Sequence, residues 1–318
     1  MTPGARSACF SIFLAVHAFT SYSTPSGTVE PQKPRITILY DAFGPASQMQ
    51  QDWGYAALIE FGGKRILFDS GNNPETLAHN AKVKGVDLSR LDFVVMSHRH
   101  GDHMGGLSFV LKMNPKVRIY APKEGFGVYG GDLPGSFYRR DSTLSADQHY
   151  FDGAAPEVMR FGSAWPGANF GLIDKTIEIA PNIHLIALVS DKPGTLELRE
   201  LSLALNTPDG MVIVVGCSHP GIDQIVEAAR VFDQRIHLVT GGFHLVIASD
   251  QDIEKTVSAL HENFRVDYVA PGHCTGEPAF AALKKAFGGR YVYAGLGTQI
   301  VIGPEVRSEI TAVGISRE

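Results

Sequence analysis

The sequence predicts an α/β fold in which helices cover packed β-sheets. Three observations predict it. The first half carries β-branched and apolar runs in hairpin spacing, and the second half repeats a strand–loop–helix unit three times with a histidine near each strand end. A chain of 318 residues that is 44% hydrophobic and 19% charged also has enough apolar side chain to fill a core between layers.

The elements follow in order. Residues 35–40 (RITILY) are a β-branched run and predict a strand. Residues 55–61 and 65–69 flank Gly62-Gly63 and predict a hairpin. A helix is expected over 74–84, and a buried strand over 93–96 delivers the chain to His98. Gly105-Gly106-Leu107 opens a helix toward Met113, and 117–121 is a further strand. Over 122–175 glycine, proline and aromatic residues are scattered without period, which predicts a loop-rich insertion of the lid or binding-loop kind. Strands are then expected at 183–189, 201–206 and 211–215, the last two joined through Pro208-Asp209-Gly210. Helices at 222–232, 250–264 and 279–287 alternate with strands at 236–240 and 268–270, and strands at 291–293 and 299–302 close the chain.

These elements make one domain over 35–318. Residues 1–23 read as a signal peptide: Arg6 precedes an apolar run over 8–19, and Ser21-Tyr22-Ser23 offers a cleavage region. That run is too short to span a bilayer. Residues 24–34 read as a linker. The expected location is therefore periplasmic or secreted, and cytoplasmic if the segment is not a signal. A net charge of -5 with no lysine or arginine run gives no nucleic-acid footprint, so the expected partner is a small-molecule substrate. The sequence carries no signal of oligomeric state.

The chemistry centres on Ser97-His98-Arg99-His100-Gly101-Asp102-His103. Neutral imidazoles and a carboxylate bind zinc or another first-row metal, and an extended stretch turns His98 and His100 to one side. Asp102 and His103, past the turn, can serve a neighbouring ion. Three later histidines sit at strand ends beside small residues: His219 in Gly216-Cys217-Ser218-His219, His244 in Gly241-Gly242-Phe243-His244, and His273 in Pro271-Gly272-His273. Ligands gather at such strand ends in layered α/β proteins. His219 and His273 are expected to complete the site, with His244 either a ligand or a hydrogen-bonding neighbour of one. Cys217 and Cys274 lie beside these histidines. They can pair as a disulfide in an oxidising compartment or serve at the metal, and their neighbours favour the metal.

With Phe68-Asp69-Ser70-Gly71, the 97–103 motif and Pro271-Gly272-His273, the sequence resembles the metallo-β-lactamase superfamily over roughly residues 35–302. Gly216-Cys217-Ser218-His219-Pro220-Gly221 and His273-Cys274-Thr275-Gly276 resemble one branch, labelled after an enzyme joining a dihydropterin to a ribofuranosyl-aminobenzene phosphate. The resemblance implies an αββα sandwich of two mixed sheets flanked by helices, with metals in a cleft at one edge. It departs from the family where a bridging aspartate is usual: Cys217 stands there, and Glu200 is the nearest substitute for an earlier histidine ligand.

Zinc, as one or two ions, suits these donors, with iron or manganese as alternatives. A metal-bound hydroxide would then cleave an ester, lactone, amide or phosphoester bond, with Asp102 also orienting the nucleophile. Tyr138, Arg139 and Arg140 in the insertion are candidate substrate contacts. The alternatives are the pterin-linking transferase and a non-catalytic metal-binding protein.

Overall fold

The computed structural model describes residues 33–45, 47–124, 132–134, 154, 157–160 and 165–310, besides Met1, and the fold lies within the unit Lys33–Glu318. The signal-peptide expectation and the contacts expected of Tyr138, Arg139 and Arg140 lie outside the described residues. Along the chain come β1 (Arg35–Tyr40), the hairpin β2 (Ala56–Phe61) and β3 (Lys64–Phe68), α1 (Pro74–Val83), and β4 (Phe93–Val95). The short α2 (Gly101–Met104), α3 (Leu107–Met113) and β5 (Arg118–Pro122) follow. Within the expected insertion, β6 (Asp132–Pro134) and β7 (Val158–Arg160) pair as a separate two-stranded sheet, and β8 (Asn169–Ile173) joins a main sheet.

The second half holds β9 (Ile177–Ala180), β10 (Ile183–Val189), β11 (Arg199–Thr207), β12 (Gly210–Val215), α4 (Ile222–Ala229) and β13 (Ile236–Gly242). It ends with α5 (Asp250–Ser258), β14 (Tyr268–Gly272), α6 (Glu277–Phe287), β15 (Thr298–Val301) and β16 (Arg307–Ile310). The first sheet has the order β16-β15-β1-β2-β3-β4-β5-β8 and the second β14-β13-β12-β11-β10-β9. Both are mixed. Hairpin neighbours run antiparallel, while β3, β4, β5 and β8 run parallel in one sheet and β12, β13 and β14 in the other.

Two-residue periodicity builds the layers. In β12, Val212 and Val214 pack between the sheets, while Met211, Ile213 and Val215 face outward. In β4, Phe93 and Val95 face inward and Val94 outward. The outward face of the first sheet is covered by Leu77 and Ala81 of α1 with Leu107 and Val110 of α3. The outward face of the second is covered by Ile225 and Val226 of α4, Ile253 and Val257 of α5, and Leu283 of α6. The result is the αββα sandwich that the family resemblance implied.

Three local expectations are corrected. The helix expected over 250–264 is α-helical only to Ser258 and continues through Ala259–Asn263 as a wider π turn. Residues 291–293 form no strand: Tyr291 makes one isolated bridge to Val269, and Tyr293 turns edge-on to Phe43 at 6.0 Å. Strands β8, β9 and β16 were not foreseen; their burial patterns are mixed or largely exposed, which weakens the apolar alternation that marks a strand.

Candidate metal centre

β4 ends at Val95, and the next turns bring His98, His100, Asp102 and His103 to the edge of the first sheet. Small residues permit the approach. A Cβ on Gly106 would lie 2.0 Å from the Ser70 carbonyl oxygen, so the turn after the motif closes only with glycine. From the second sheet, β12 ends at Val215 just before Gly216, and β13 and β14 end in Gly242 and Gly272, beside which stand Cys217, His219, His244, His273 and Cys274. Four non-glycine residues here, Asp69, Ser218, His244 and His273, adopt positive φ between 44° and 63°. Such strain gathers where the surroundings fix side chains for function.

Donor atoms converge in overlapping triads. His98, His100 and His219 form one; Asp102, His103 and His273 form another. Cys217 is shared by three more, with His98 and His103, with His219 and His244, and with His273 and Cys274. Within every triad the donor atoms lie within 4.8 Å of one another. The structure thus brings together all six expected ligands, and Cys217 and His244 with them.

One carboxylate orients two of the rings. Asp69, which follows β3 and is fully buried, accepts from the Ser97 amide at 2.6 Å, the Ser97 hydroxyl at 2.7 Å and His103 Nδ1 at 2.7 Å. With its hydroxyl proton on Asp69, Ser97 Oγ accepts from His98 Nδ1 at 2.8 Å. Both imidazoles therefore hold a proton on Nδ1 and turn Nε2 inward. His98 Nε2 lies 3.0 Å from His100 Nδ1 and 3.3 Å from His219 Nε2, and His103 Nε2 lies 3.2 Å from Cys217 Sγ. Replacing Asp69 with asparagine keeps the shape but removes the charge and one acceptor. We expect Asp69→Asn to weaken zinc binding about 10–100-fold, read by competition with a chromophoric chelator.

Protonation states suit a cation at His98, His219 and Asp102, while at His103 a bound metal would have to displace a proton. Burial holds His98 well below the ordinary imidazole range, and burial with the neighbouring His244 brings His219 down to about 3. Burial lowers His103, but Asp69 outweighs it and lifts the ring to about 9. Burial raises Asp102, but His273 and His103 outweigh it and hold the carboxyl well below its usual value. Buried ring nitrogens of His219 (Nδ1) and His273 (Nδ1) have no hydrogen-bond partner. Buried polar atoms are normally satisfied, so crowded lone pairs and orphaned nitrogens fit a bound divalent metal.

Glu200 is not among the converging ligands. Its Oε1 accepts from the Cys217 and Ser218 amides at 3.0 and 2.7 Å, and its Oε2 from the His219 amide at 2.7 Å. Burial pushes this carboxyl up to about 7 while the three amides pull it back. Its role is to hold the loop that carries Cys217 and His219. Asp41, just past β1, does the same for His273, accepting its amide at 2.9 Å. In the sequence the only signal for Asp41 is its place at a strand end. Trp53, which no sequence motif marks, is 47% exposed and stands 5.1 Å from the His273 ring.

Beside His219 and His244 opens a cavity of about 490 Å³. Phe243 and Ile247 line it with Lys192 and Lys255. That volume suits a small molecule.

Known proteins resemble this chain in sequence and fold. The metallo-beta-lactamase superfamily profile matches residues 50–273. A 7,8-dihydropterin-6-methyl-4-(beta-D-ribofuranosyl)-aminobenzene-5'-phosphate synthase of Methanocaldococcus jannaschii is 29% identical over 270 residues, 76% of this chain and 86% of that one. A solved metal-dependent hydrolase of the beta-lactamase superfamily superposes with a TM-score of 0.61 at 29% identity, covering 85% of this chain and 99% of that one. A metallo-beta-lactamase fold protein from Bacillus subtilis has the same fold, with a TM-score of 0.51 at 13% identity over 84% of this chain and 99% of that one. The profile match runs from before the first sheet's hairpin to the last histidine of the centre, and the chain belongs to the metallo-beta-lactamase superfamily.

Proposed function

We propose that this chain is a metal-dependent hydrolase that cleaves an ester, lactone, amide or phosphoester bond in a small molecule. The observation carrying this reading is the pair of three-donor sets, His98/His100/His219 and Asp102/His103/His273, with Cys217 Sγ set among them. These residues would hold zinc, which would supply Lewis acidity and acidify water at the site. The protein's own residues do the rest. Asp69 and Ser97 fix the ring orientations, and Asp102 keeps a negative charge beside His273 at 3.4 Å. The body of the substrate rests in the cavity against Phe243 and Ile247, with Lys192 and Lys255 available to an anionic group. His244 lines that cavity and stands 4.3 Å from the His219 ring. Its pKa is raised by a hydrogen bond to Cys274 against the pull of burial, which suits it to hand a proton to the leaving group.

The test is turnover of a panel of esters, lactones, amides and phosphodiesters by the chain with zinc, with manganese and after chelation. Activity on at least one substrate, lost on chelation and restored by metal, is expected; a panel that stays silent with every metal overturns the reading. A second reading, a pterin-linking transferase, is favoured by the likeness to the synthase of Methanocaldococcus jannaschii. Incubation with a dihydropterin and a ribofuranosyl-aminobenzene phosphate tests it, with a joined product as the positive result.

A further inference from the structure

The two three-donor sets that carry the proposed function leave Cys274 unused, although it is 2% exposed and its Sγ lies 3.4 Å from Cys217 Sγ. Both thiols are free. We propose that Cys274 is itself a metal ligand, forming with Cys217 and His273 a thiolate-rich side of the centre that selects a borderline-soft divalent ion of the zinc and cadmium kind. This rests on the reading of the site as a metal centre and adds to it which ion the chain prefers.

Geometry separates this from the other use of two neighbouring thiols. A disulfide needs its sulfurs about 2.05 Å apart, so these would have to close by more than 1 Å. Two thiolates on one tetrahedral ion at about 2.3 Å stand roughly 3.7 Å apart, within a few tenths of an ångström of the observed spacing. The surroundings resist the larger movement. Cys274 Sγ packs so close to Gly242 that a Cβ there would meet it at 2.7 Å. Cys217 is held from behind by its amide on Glu200.

The third donor is also in place. His273 supplies a buried ring whose Nδ1 has no hydrogen-bond partner and whose Nε2 stands 3.4 Å from Asp102 Oδ2, and its ligand atom lies within 4.8 Å of both sulfurs. Thiolate donors favour zinc, cadmium and copper(I), while carboxylate and water favour magnesium, calcium and manganese. With Cys217 and Cys274 both engaged, manganese becomes the poorer occupant of the centre.

The experiment loads the whole chain with cobalt(II) and reads its sulfur-to-metal charge-transfer absorption and its ligand-field bands, neither of which depends on substrate. Cys274→Ser is expected to bind cobalt but lose a third to a half of the charge-transfer intensity, with Cys217→Ser losing at least as much. X-ray absorption of the zinc-loaded wild-type chain needs no variant, and two sulfurs per chain at about 2.3 Å are expected. If cobalt binds and the sulfur band is unchanged in Cys274→Ser, or if one sulfur is counted, the metal centre stands and the role of Cys274 falls. If the wild-type chain binds no cobalt or zinc, both readings fall together.

Discussion

His100→Ala is expected to empty the His98/His100/His219 triad and to lower any metal-dependent turnover by at least about 10³-fold. The ring is half-buried, and its Nδ1 is one of only three donor atoms in that triad. Losing one ligand from a three-ligand set leaves two imidazoles, which burial already keeps neutral, so nothing replaces the missing lone pair. The substitution also sits at the start of α2, where the backbone continues without a side-chain cap, so the fold has little to lose. Metal content per chain, measured by inductively coupled plasma mass spectrometry alongside thermal melting, separates the two effects. The expected outcome is less bound metal with a melting temperature close to that of metal-free wild type. Full metal content and full activity in His100→Ala would remove this residue from the centre.

The difference between what was legible in the sequence and what was not follows from distance along the chain. His98 and His100 stand two apart on extended backbone, so strand periodicity alone shows that they share a side, and Asp102 and His103 follow within three residues. His219 and His273 were legible as strand-end residues because parallel strands must all finish at the same edge of their sheet. That rule carried His244 and Cys217 to the centre as well. It failed for Glu200, where a single carboxylate before a strand gives no sign that its partners are three amides 17 to 19 positions later. Asp69 was visible only as part of a motif. Its grip on Ser97 and His103 spans 28 and 34 positions, and no local pattern encodes it. The hydrophobic pattern likewise marked the buried strands and missed β9, whose residues are partly or wholly exposed.

Glu200→Ala is expected to destabilise the fold by about 3–5 kcal/mol and to cost most of the metal binding, although the residue touches no metal in this reading. The carboxylate is 1% exposed, and three backbone donors end on it. Removing it leaves three buried N–H groups, each costing about 1–3 kcal/mol until water enters the gap, so the sum is cut well below the simple total. The loop it holds is not relaxed to begin with: Ser218 sits at φ 63°, a conformation that a non-glycine residue keeps only when its surroundings impose it. Release of that loop moves Cys217 and His219 together, so one substitution disturbs every triad in which they take part. A melting temperature lower by roughly 10 °C in the metal-free protein, with weakened zinc binding, is the predicted signature. Glu200→Gln tests the cause. It keeps the volume and one accepting oxygen but turns an NH₂ toward an amide donor, so it should fall between wild type and Glu200→Ala in both measurements. Equal stability for all three proteins would mean that the loop is held by Ser218, whose hydroxyl donates to the Gly242 carbonyl at 2.7 Å, and not by the carboxylate.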